Sequence, residues 1–440
     1  MGYALKVTLD CNGGCGSCYE AAIRKRKKTP YDIGKIEAAL DRIIKEDVES
    51  ESANPGQRKT SPPTFHGGEP TLMKKEDFER LAKKIYRHWG RNSIQTGGTL
   101  IDTEFIELFL KYNFSVGISL DGDTADLNMG RWNINPKIAK EKTELVLENM
   151  KRLHRAKISV SIIALLRKYN AAPDRIDDFI AFLDRMESEF VIRSIRTNPV
   201  IVYEDRFRQD EELLGDDLGN ALIKIADWTM ADPLRHTFPA RDVIEMLFGY
   251  NHSVCDFWEC DVFHTSGERP INHLGEQTNC LHGGAAIEGI QILRAEKKSD
   301  IRYRALIQTP QDLNGCKDCH FWHICHGGCP GAGVDNDWRN RTRFCSAFKM
   351  LFCHISDKIT GLIPNMGLPQ EFYPDAGSPK RMQFNLGEGG STYRNETRRN
   401  REDIRKATKA EDQKRGQKTN RHGDKPHGDH TDQALLKGRK

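Results

Sequence analysis

Three cysteines within eight residues, Cys11-Asn-Gly-Gly-Cys15-Gly-Ser-Cys18, follow directly on the apolar segment 3–9. A C-x3-C-x2-C loop leaving a strand can present three thiolates to one small cluster, and four-iron clusters are held by cysteine thiolates, ordinarily four. Three local ligands leave one iron open to a small molecule, which turns an electron carrier into a catalyst. Gly13, Gly14 and Gly16 suit a loop whose backbone takes positive φ or comes close to a cluster. A structural zinc needs a fourth ligand and ordinarily comes with C-x2-C pairs, whereas the next cysteine here is Cys255. Spacing alone leaves cluster, zinc and free thiols open.

The rest of the chain is read as a soluble, multi-domain body with a charged tail. Its 440 residues allow a sizeable core and two or three domains. No run of 18 apolar residues offers a membrane span, and Cys11 stands too early for a removable signal peptide. Twelve cysteines in grouped spacings then read as metal ligands in a reducing cytoplasm. The formal charge of +4 is uneven: residues 380–440 hold 17 Lys and Arg against 9 Asp and Glu, leaving the body acidic. From about residue 374 only Phe384 and Tyr393 are aromatic, so 374–440 cannot bury enough apolar surface to order and is expected to be a disordered, solvated tail. Its His422, His427 and His430 are not assigned a site.

Between residues 3 and 204 apolar runs alternate with helical patterns. Strands are expected at 5–9, 62–66, 93–96, 114–120, 158–165 and 191–202, and helices at 33–44, 74–88, 103–110, 138–156 and 174–188. The fold class is therefore α/β: a parallel sheet closed into a partial (β/α)6 TIM-type barrel. Chemistry in such barrels sits at the strand C-termini. Cys11, His66-Gly67-Gly68-Glu69 and Ser119-Leu-Asp-Gly122 all fall there. In Gly67-Gly-Glu-Pro70 the glycines expose backbone, Pro70 stiffens the turn and Glu69 can accept from an ammonium group. Taken alone it also reads as an ordinary turn, and Ser119 as a hydroxyl satisfied by backbone.

Residues 205–250 read as a helical bridge, with helices at 216–228 and 240–247. Cysteines then return as Cys255-x4-Cys260-x14-Gly275-x4-Cys280, Cys316-x2-Cys319-x5-Cys325-x3-Cys329 and Cys345. Eight cysteines make two four-ligand sites, and spacing leaves zinc and cluster even. Gly327, Gly328, Gly331 and Gly333 point to close approach of something bulky. Cys353, left over, is expected in the core of a helix at 347–355. The polar run 335–342 is read as pairing within the fold.

Cys11-x3-Cys15-x2-Cys18 resembles the signature of radical S-adenosylmethionine enzymes, with Ser17 in place of the usual aromatic before the third cysteine. Gly67-Gly-Glu-Pro70 resembles that family's segment for the methionyl amine, and 95–101 with Ser119 resembles the sulfatase-maturase-like branch, in which the serine contacts the cofactor carboxylate and Asn is usual where Gly97 stands. The run 260–345 is similar to the SPASM domain, here placed at 251–360. The resemblance implies a [4Fe-4S] cluster on Cys11, Cys15 and Cys18, a nearer auxiliary cluster on Cys255, Cys260, Cys280 and Cys329, and a farther one on Cys316, Cys319, Cys325 and Cys345. It implies S-adenosyl-L-methionine bound by His66, Gly67, Gly68, Glu69 and Ser119.

The expected activity follows from that resemblance: reductive cleavage of S-adenosylmethionine to a 5′-deoxyadenosyl radical, which abstracts hydrogen from a peptide or protein to cross-link or oxidise a side chain. The expected partners are that substrate and a flavodoxin- or ferredoxin-like electron donor; neither a membrane nor a nucleic acid is expected. One alternative is an anaerobic sulfatase maturase forming formylglycine. Against it, maturases carry an aspartate after the cysteine matched by Cys280, where Leu281 and His282 stand, so that His282 is the local candidate for proton transfer. The other alternative is a zinc-ribbon protein whose basic tail binds nucleic acid. No separate leader-peptide-binding domain is expected before Asp10, so recognition is expected to use the barrel, the bridge, the cluster domain or a partner protein.

Overall fold

The computed structural model describes residues 2–20, 30–53, 61–132, 134–190, 192–203, 205–249, 268–277, 280–281 and 298–362. All of these belong to one compact unit, Met1–Glu388. The expected tail at 374–440, with Cys255, Cys260 and His282, lies outside the described residues.

Strand β1 (Gly2–Thr8) is followed by helix α1 (Ile33–Ala53), β2 (Thr64–Gly67), α2 (Lys75–Trp89), β3 (Asn92–Thr96), α3 (Thr103–Lys111), β4 (Phe114–Ser119) and α4 (Pro136–Arg155). Then come β5 (Val160–Leu166), the short α5 (Lys168–Ala171), α6 (Ile176–Glu189) and β6 (Ile192–Pro199). Helices α7 (Asp205–Glu211) and α8 (Gly215–Met230) lead to β7 (Thr237–Phe238), α9 (Ala240–Leu247) and β8 (Glu268–Ile271). The cysteine-rich end holds α10 (Lys298–Gln308), α11 (Trp322–Cys325) and α12 (Cys345–Leu362).

The sheet is parallel throughout, in the order β7-β6-β5-β4-β3-β2-β1-β8. Among the described residues no pair joins β7 to β8, so it stays an open, partial barrel. The six expected strands are its centre. Two short outer strands were not expected: the two-residue β7 in the bridge, and β8, which lays the cysteine-rich region directly along β1.

Local signals explain the helices. Asp102 accepts from Phe105 N at 2.9 Å to start α3, Asn135 accepts from Ile138 N at 3.1 Å ahead of Pro136 in α4, and Gly90 at φ 70° stops α2. Helix α1 buries Ile36, Ala39, Leu40 and Ile43 along one stripe and runs on past the expected end at 44. Between sheet and helices, Phe78 packs on Phe65, Phe105 and Phe114 with ring centroids 4.5, 5.3 and 5.6 Å away.

The opposite face of the strands differs from that of a closed barrel, where bulky branched side chains fill the interior. Alternation along β3, β4 and β5 leaves Ser93, Gln95, Ser115, Gly117, Ser119, Ser161, Ile163 and Leu165 half-buried on the inner face. At the C-terminal end of these strands this lining is polar on β3 and β4, with Gln95 and Ser119, and apolar on β5, with Ile163 and Leu165. No described helix is long and apolar enough to cross a membrane.

The structure corrects the assignment of Cys353. Helix α12 buries Ala347, Phe348, Leu351, Phe352 and Ile355, and the 3.6-residue period turns Cys353 outward, where it is exposed.

Candidate active site

The three-cysteine loop and the Gly67-Gly-Glu loop leave neighbouring strands and are stitched together by backbone. Gly68 N donates to Thr8 O at 2.8 Å and Glu69 N to Asp10 O at 2.7 Å. Glycine is required twice. Gly67 has φ +134°, and a Cβ on Gly68 would lie 2.2 Å from Asp10 O and 2.5 Å from Leu9 O. Because both atoms are backbone, the loops must part to admit a methyl group. Gly68→Ala should therefore lose both hydrogen bonds and cost about 3 kcal/mol, from overpacking plus two lost bonds. A fall in the denaturant midpoint at unchanged m-value would show it, and an unchanged midpoint would refute the close approach.

On its other side the cysteine loop is held by Arg131. Gly14 N donates to Arg131 O at 3.1 Å, and Cys15 Sγ lies 3.6 Å from the same oxygen. Cys18 N donates to Cys15 O at 3.3 Å, Gly13 N to Cys11 Sγ at 3.3 Å and Asn12 Nδ2 to Thr99 Oγ1 at 2.8 Å. Burial pushes the Cys15 thiol up, with the Arg131 and Arg167 guanidinium groups opposing it. The loop is thus fixed by its backbone, leaving three thiols on one short turn at the strand end. That donor set fits a cluster with one open iron.

Glu69 is 2% exposed. Its Oε1 accepts from Thr71 N at 3.1 Å, Thr71 Oγ1 at 2.6 Å and Thr96 Oγ1 at 2.7 Å, and its Oε2 accepts from Gly97 N at 2.7 Å. The carboxylate ties β2 to β3, and Oε2 keeps the spare lone pair. Between the neighbouring strands β3 and β4, Gln95 Nε2 donates to Ser119 Oγ at 2.9 Å. Gln95 lies over Gly117, where a Cβ would come within 2.2 Å of its Oε1. His66 Nδ1 accepts from Gly67 N at 2.8 Å. Of the five cofactor residues expected from the sequence, His66, Gly67, Gly68 and Glu69 thus run consecutively off the C-terminal end of β2, and Ser119 ends β4.

A buried ionic network below the cysteine loop escaped the sequence reading. Asp121, wholly buried, receives Arg131 Nη2 on Oδ1 at 2.6 Å and Arg167 Nε on Oδ2 at 2.9 Å. Arg167 Nη1 donates to Ser17 Oγ at 3.0 Å and pairs with Glu211, whose carboxyl burial pushes up while Arg167 opposes. Ser17, where the resemblance puts an aromatic ring, instead accepts from a cation. The only signal in the sequence was that departure.

In the cysteine-rich end, Cys316, Cys319, Cys325 and Cys345 line one cavity together with Phe321, Trp322 and Arg341. No three His, Cys, Asp or Glu side chains among the described residues are placed to share a single metal ion. Four thiols around one cavity form a donor set of the kind that holds either a zinc ion or an iron–sulfur cluster. Burial, reinforced by neighbouring thiols, pushes Cys316 up to about 12 and Cys325 higher still. Thiolate is the ligand form, so a metal group held by this set would load faster as pH rises from 7 to 9, by about tenfold per unit at most. Following cluster absorbance against time at each pH checks this, and a flat profile would refute it. The apo fold should also lose stability as pH rises above 9 towards 12, since the unfolded chain then ionises first.

Two glycines here make room for the chain itself rather than for a bulky group. A Cβ on Gly327 would meet Leu306, and one on Gly333 would lie 2.0 Å from Asp337 O. The polar run 335–342 pairs internally, Arg339 with Asp337 and Asn340 Nδ2 with Val334 O at 3.1 Å. Of the other cysteine set, Cys280 and Cys329 are described, and both act electrostatically on the Tyr203 phenol, which burial pushes far up. Lys6, in β1, joins the two regions: its Nζ pairs with Glu20 Oε1 at 2.6 Å and donates to Leu281 O at 2.6 Å.

Residues 5–183 match the Radical SAM superfamily. A cysteine-type anaerobic sulfatase-maturating enzyme of Clostridium novyi is 24% identical over 382 residues, covering 80% of this chain and 94% of the relative. A serine-type anaerobic sulfatase-maturating enzyme of Bacteroides thetaiotaomicron is 24% identical over 360 residues, covering 73% and 80%. Native anSMEcpe with bound AdoMet and Cp18Cys peptide superposes with a TM-score of 0.61 at 19% identity, over 83% of this chain and 99% of that one. Streptococcus suis SuiB bound to S-adenosylmethionine gives 0.51 at 16% identity, over 78% and 76%. At these identities the structural likeness speaks for the fold, a radical SAM partial barrel.

Proposed function

With a Radical SAM domain over residues 5–183, the chain is a radical S-adenosylmethionine enzyme, and from that premise we propose that it modifies a ribosomally made peptide or a protein side chain. Cluster and cofactor, when bound, supply a 5′-deoxyadenosyl radical that takes hydrogen from an unactivated C–H bond. Cys11, Cys15 and Cys18 would hold the cluster. Gly67, Gly68 and Glu69 would meet the methionyl amine, Glu69 through the spare lone pair on Oε2, while His66 directly precedes them. Ser119, oriented by Gln95, would meet the carboxylate. Cys316, Cys319, Cys325 and Cys345 would hold one auxiliary cluster, and Cys280 and Cys329, with Cys255 and Cys260, the other. A flavodoxin- or ferredoxin-like protein would donate the electron.

The observation that carries this reading is the stitching of the Gly67-Gly-Glu loop onto the three-cysteine loop at the C-terminal ends of β1 and β2, with the Gln95–Ser119 pair on the neighbouring strands β3 and β4. Peptide as substrate class draws on the relatives: Cp18Cys peptide with anSMEcpe, and precursor peptide SuiA with SuiB. Formylglycine formation is the second reading, favoured by the relatives' names and opposed by Leu281, whose carbonyl is taken by Lys6. The test is anaerobic: reconstitute, add dithionite, S-adenosylmethionine and candidate peptides, and quantify 5′-deoxyadenosine and peptide mass. Loss of two hydrogens without aldehyde reactivity supports cross-linking; an aldehyde supports formylglycine. No 5′-deoxyadenosine from iron-loaded protein with any peptide would sink both.

A further inference from the structure

We infer that Arg167 is a positioning residue that sets the reduction potential of the cluster held by Cys11, Cys15 and Cys18. This rests on the proposed function, which supplies the cluster. Arg167 has no solvent exposure, yet it lies under the cysteine loop, joined to Ser17 through Nη1. Three of its edges differ in what they meet. Nε has Asp121 and Nη1 has Ser17 and Glu211, while Nη2 is buried with no hydrogen-bond partner among the described residues. A buried guanidinium N–H without an acceptor is costly, by roughly 1–3 kcal/mol or more, so an acceptor is expected where the fold leaves one out. The cysteine loop is the neighbour that gains acceptors on cluster binding: Cys15 and Arg167 lie within each other's electrostatic reach. The space is reserved as well. A Cβ on Gly130 would stand 2.8 Å from Arg167 Nη1, so glycine there admits the guanidinium.

Hydrogen bonds to cluster sulfurs and nearby charge both set an iron–sulfur potential. The reduced cluster is the more negative form, so a buried cation and an N–H donor favour it and raise the potential. Asp121 and Glu211 oppose the charge but not the donor, because they occupy the Nε and Nη1 edges. The chain thus exchanges a ring packed before the third cysteine for Ser17 and an electrostatic handle.

The experiment is a redox titration of the reconstituted full-length enzyme and of Arg167→Met and Arg167→Lys, followed by electron paramagnetic resonance. The radical-site cluster is identified as the signal that changes when S-adenosylmethionine is added. Arg167→Met should lower the reduced-to-oxidised ratio at fixed potential about tenfold or more, 59 mV for one electron. Arg167→Lys should fall between, keeping charge but losing the forked donor, and the other clusters should hold their potentials. Unchanged potential in both variants, or an equal shift of every cluster, would overturn the inference. If the Met variant binds no iron, the Lys variant decides, and a wild-type potential there overturns it. A wild type without any S-adenosylmethionine-sensitive signal would overturn the proposed function and this inference together, whereas a normal signal with unmoved potential removes only the role of Arg167.

Discussion

Replacing Cys11, Cys15 and Cys18 together by alanine will bring 5′-deoxyadenosine formation down to that of a protein-free mixture, with a loss of about four irons per chain. The geometry makes this a chemical loss rather than an unfolding. The cysteine loop is pinned by backbone, Gly14 N to Arg131 O on one side and Gly68 N and Glu69 N to Thr8 O and Asp10 O on the other. None of these bonds involves a cysteine side chain; the thiols add only long sulfur contacts such as Gly13 N to Cys11 Sγ at 3.3 Å and Cys15 Sγ to Arg131 O at 3.6 Å. The three thiols are only partly exposed or buried and take part in no disulfide, so alanine should cost no more than about 1 kcal/mol of stability. Iron per chain, product by mass spectrometry and the denaturant midpoint, read on one preparation, separate the cases. Product persisting in the triple variant would show that the reacting centre lies elsewhere.

What the sequence disclosed and what it hid divide along contact range. Period-2 alternation in 114–120 and 158–165, bounded by helical stretches, foretold β4 and β5, because each strand's inner and outer faces are written locally. The same logic found the strand-end loops with Cys11, Glu69 and Ser119. It was silent on β7 and β8: a two-residue strand has no period, and Glu268–Ile271 is placed by pairing with β1, more than 260 residues earlier. Roles set by long-range partners were also hidden. Nothing local joins Asp121 to Arg167 until folding buries them against each other, and Glu69 offered no hint of Thr71, Thr96 and Gly97 converging on it. Cys353 went astray for a simpler reason. A lone cysteine is commonly buried, but the phase of helix α12 is fixed by Phe348 and Phe352, and that phase points it outward.

A long-range contact, from Lys6 in β1 to Leu281, also carries a large prediction. Lys6 and Glu20 are 4% and 2% exposed and paired at 2.6 Å, and Glu20 Oε2 already lacks a hydrogen-bond partner among the described residues. Nearby, burial pushes His273 down, so it brings no compensating charge. Lys6→Met should therefore destabilise the protein by about 3–5 kcal/mol, the cost of stranding a buried carboxylate. Lys6→Met/Glu20→Met removes both charges and should recover most of that loss, because a buried pair replaced by apolar groups is often neutral. The second bond of Lys6 separates stability from function. Its donation to Leu281 O anchors the residue after Cys280, and neither variant retains it. The double variant should thus regain its denaturant midpoint yet still bind less iron at the auxiliary set, while the Cys11, Cys15 and Cys18 site loads normally. If iron returns in full with stability, Lys6 serves the fold alone, and the segment carrying Cys280 is held by other contacts.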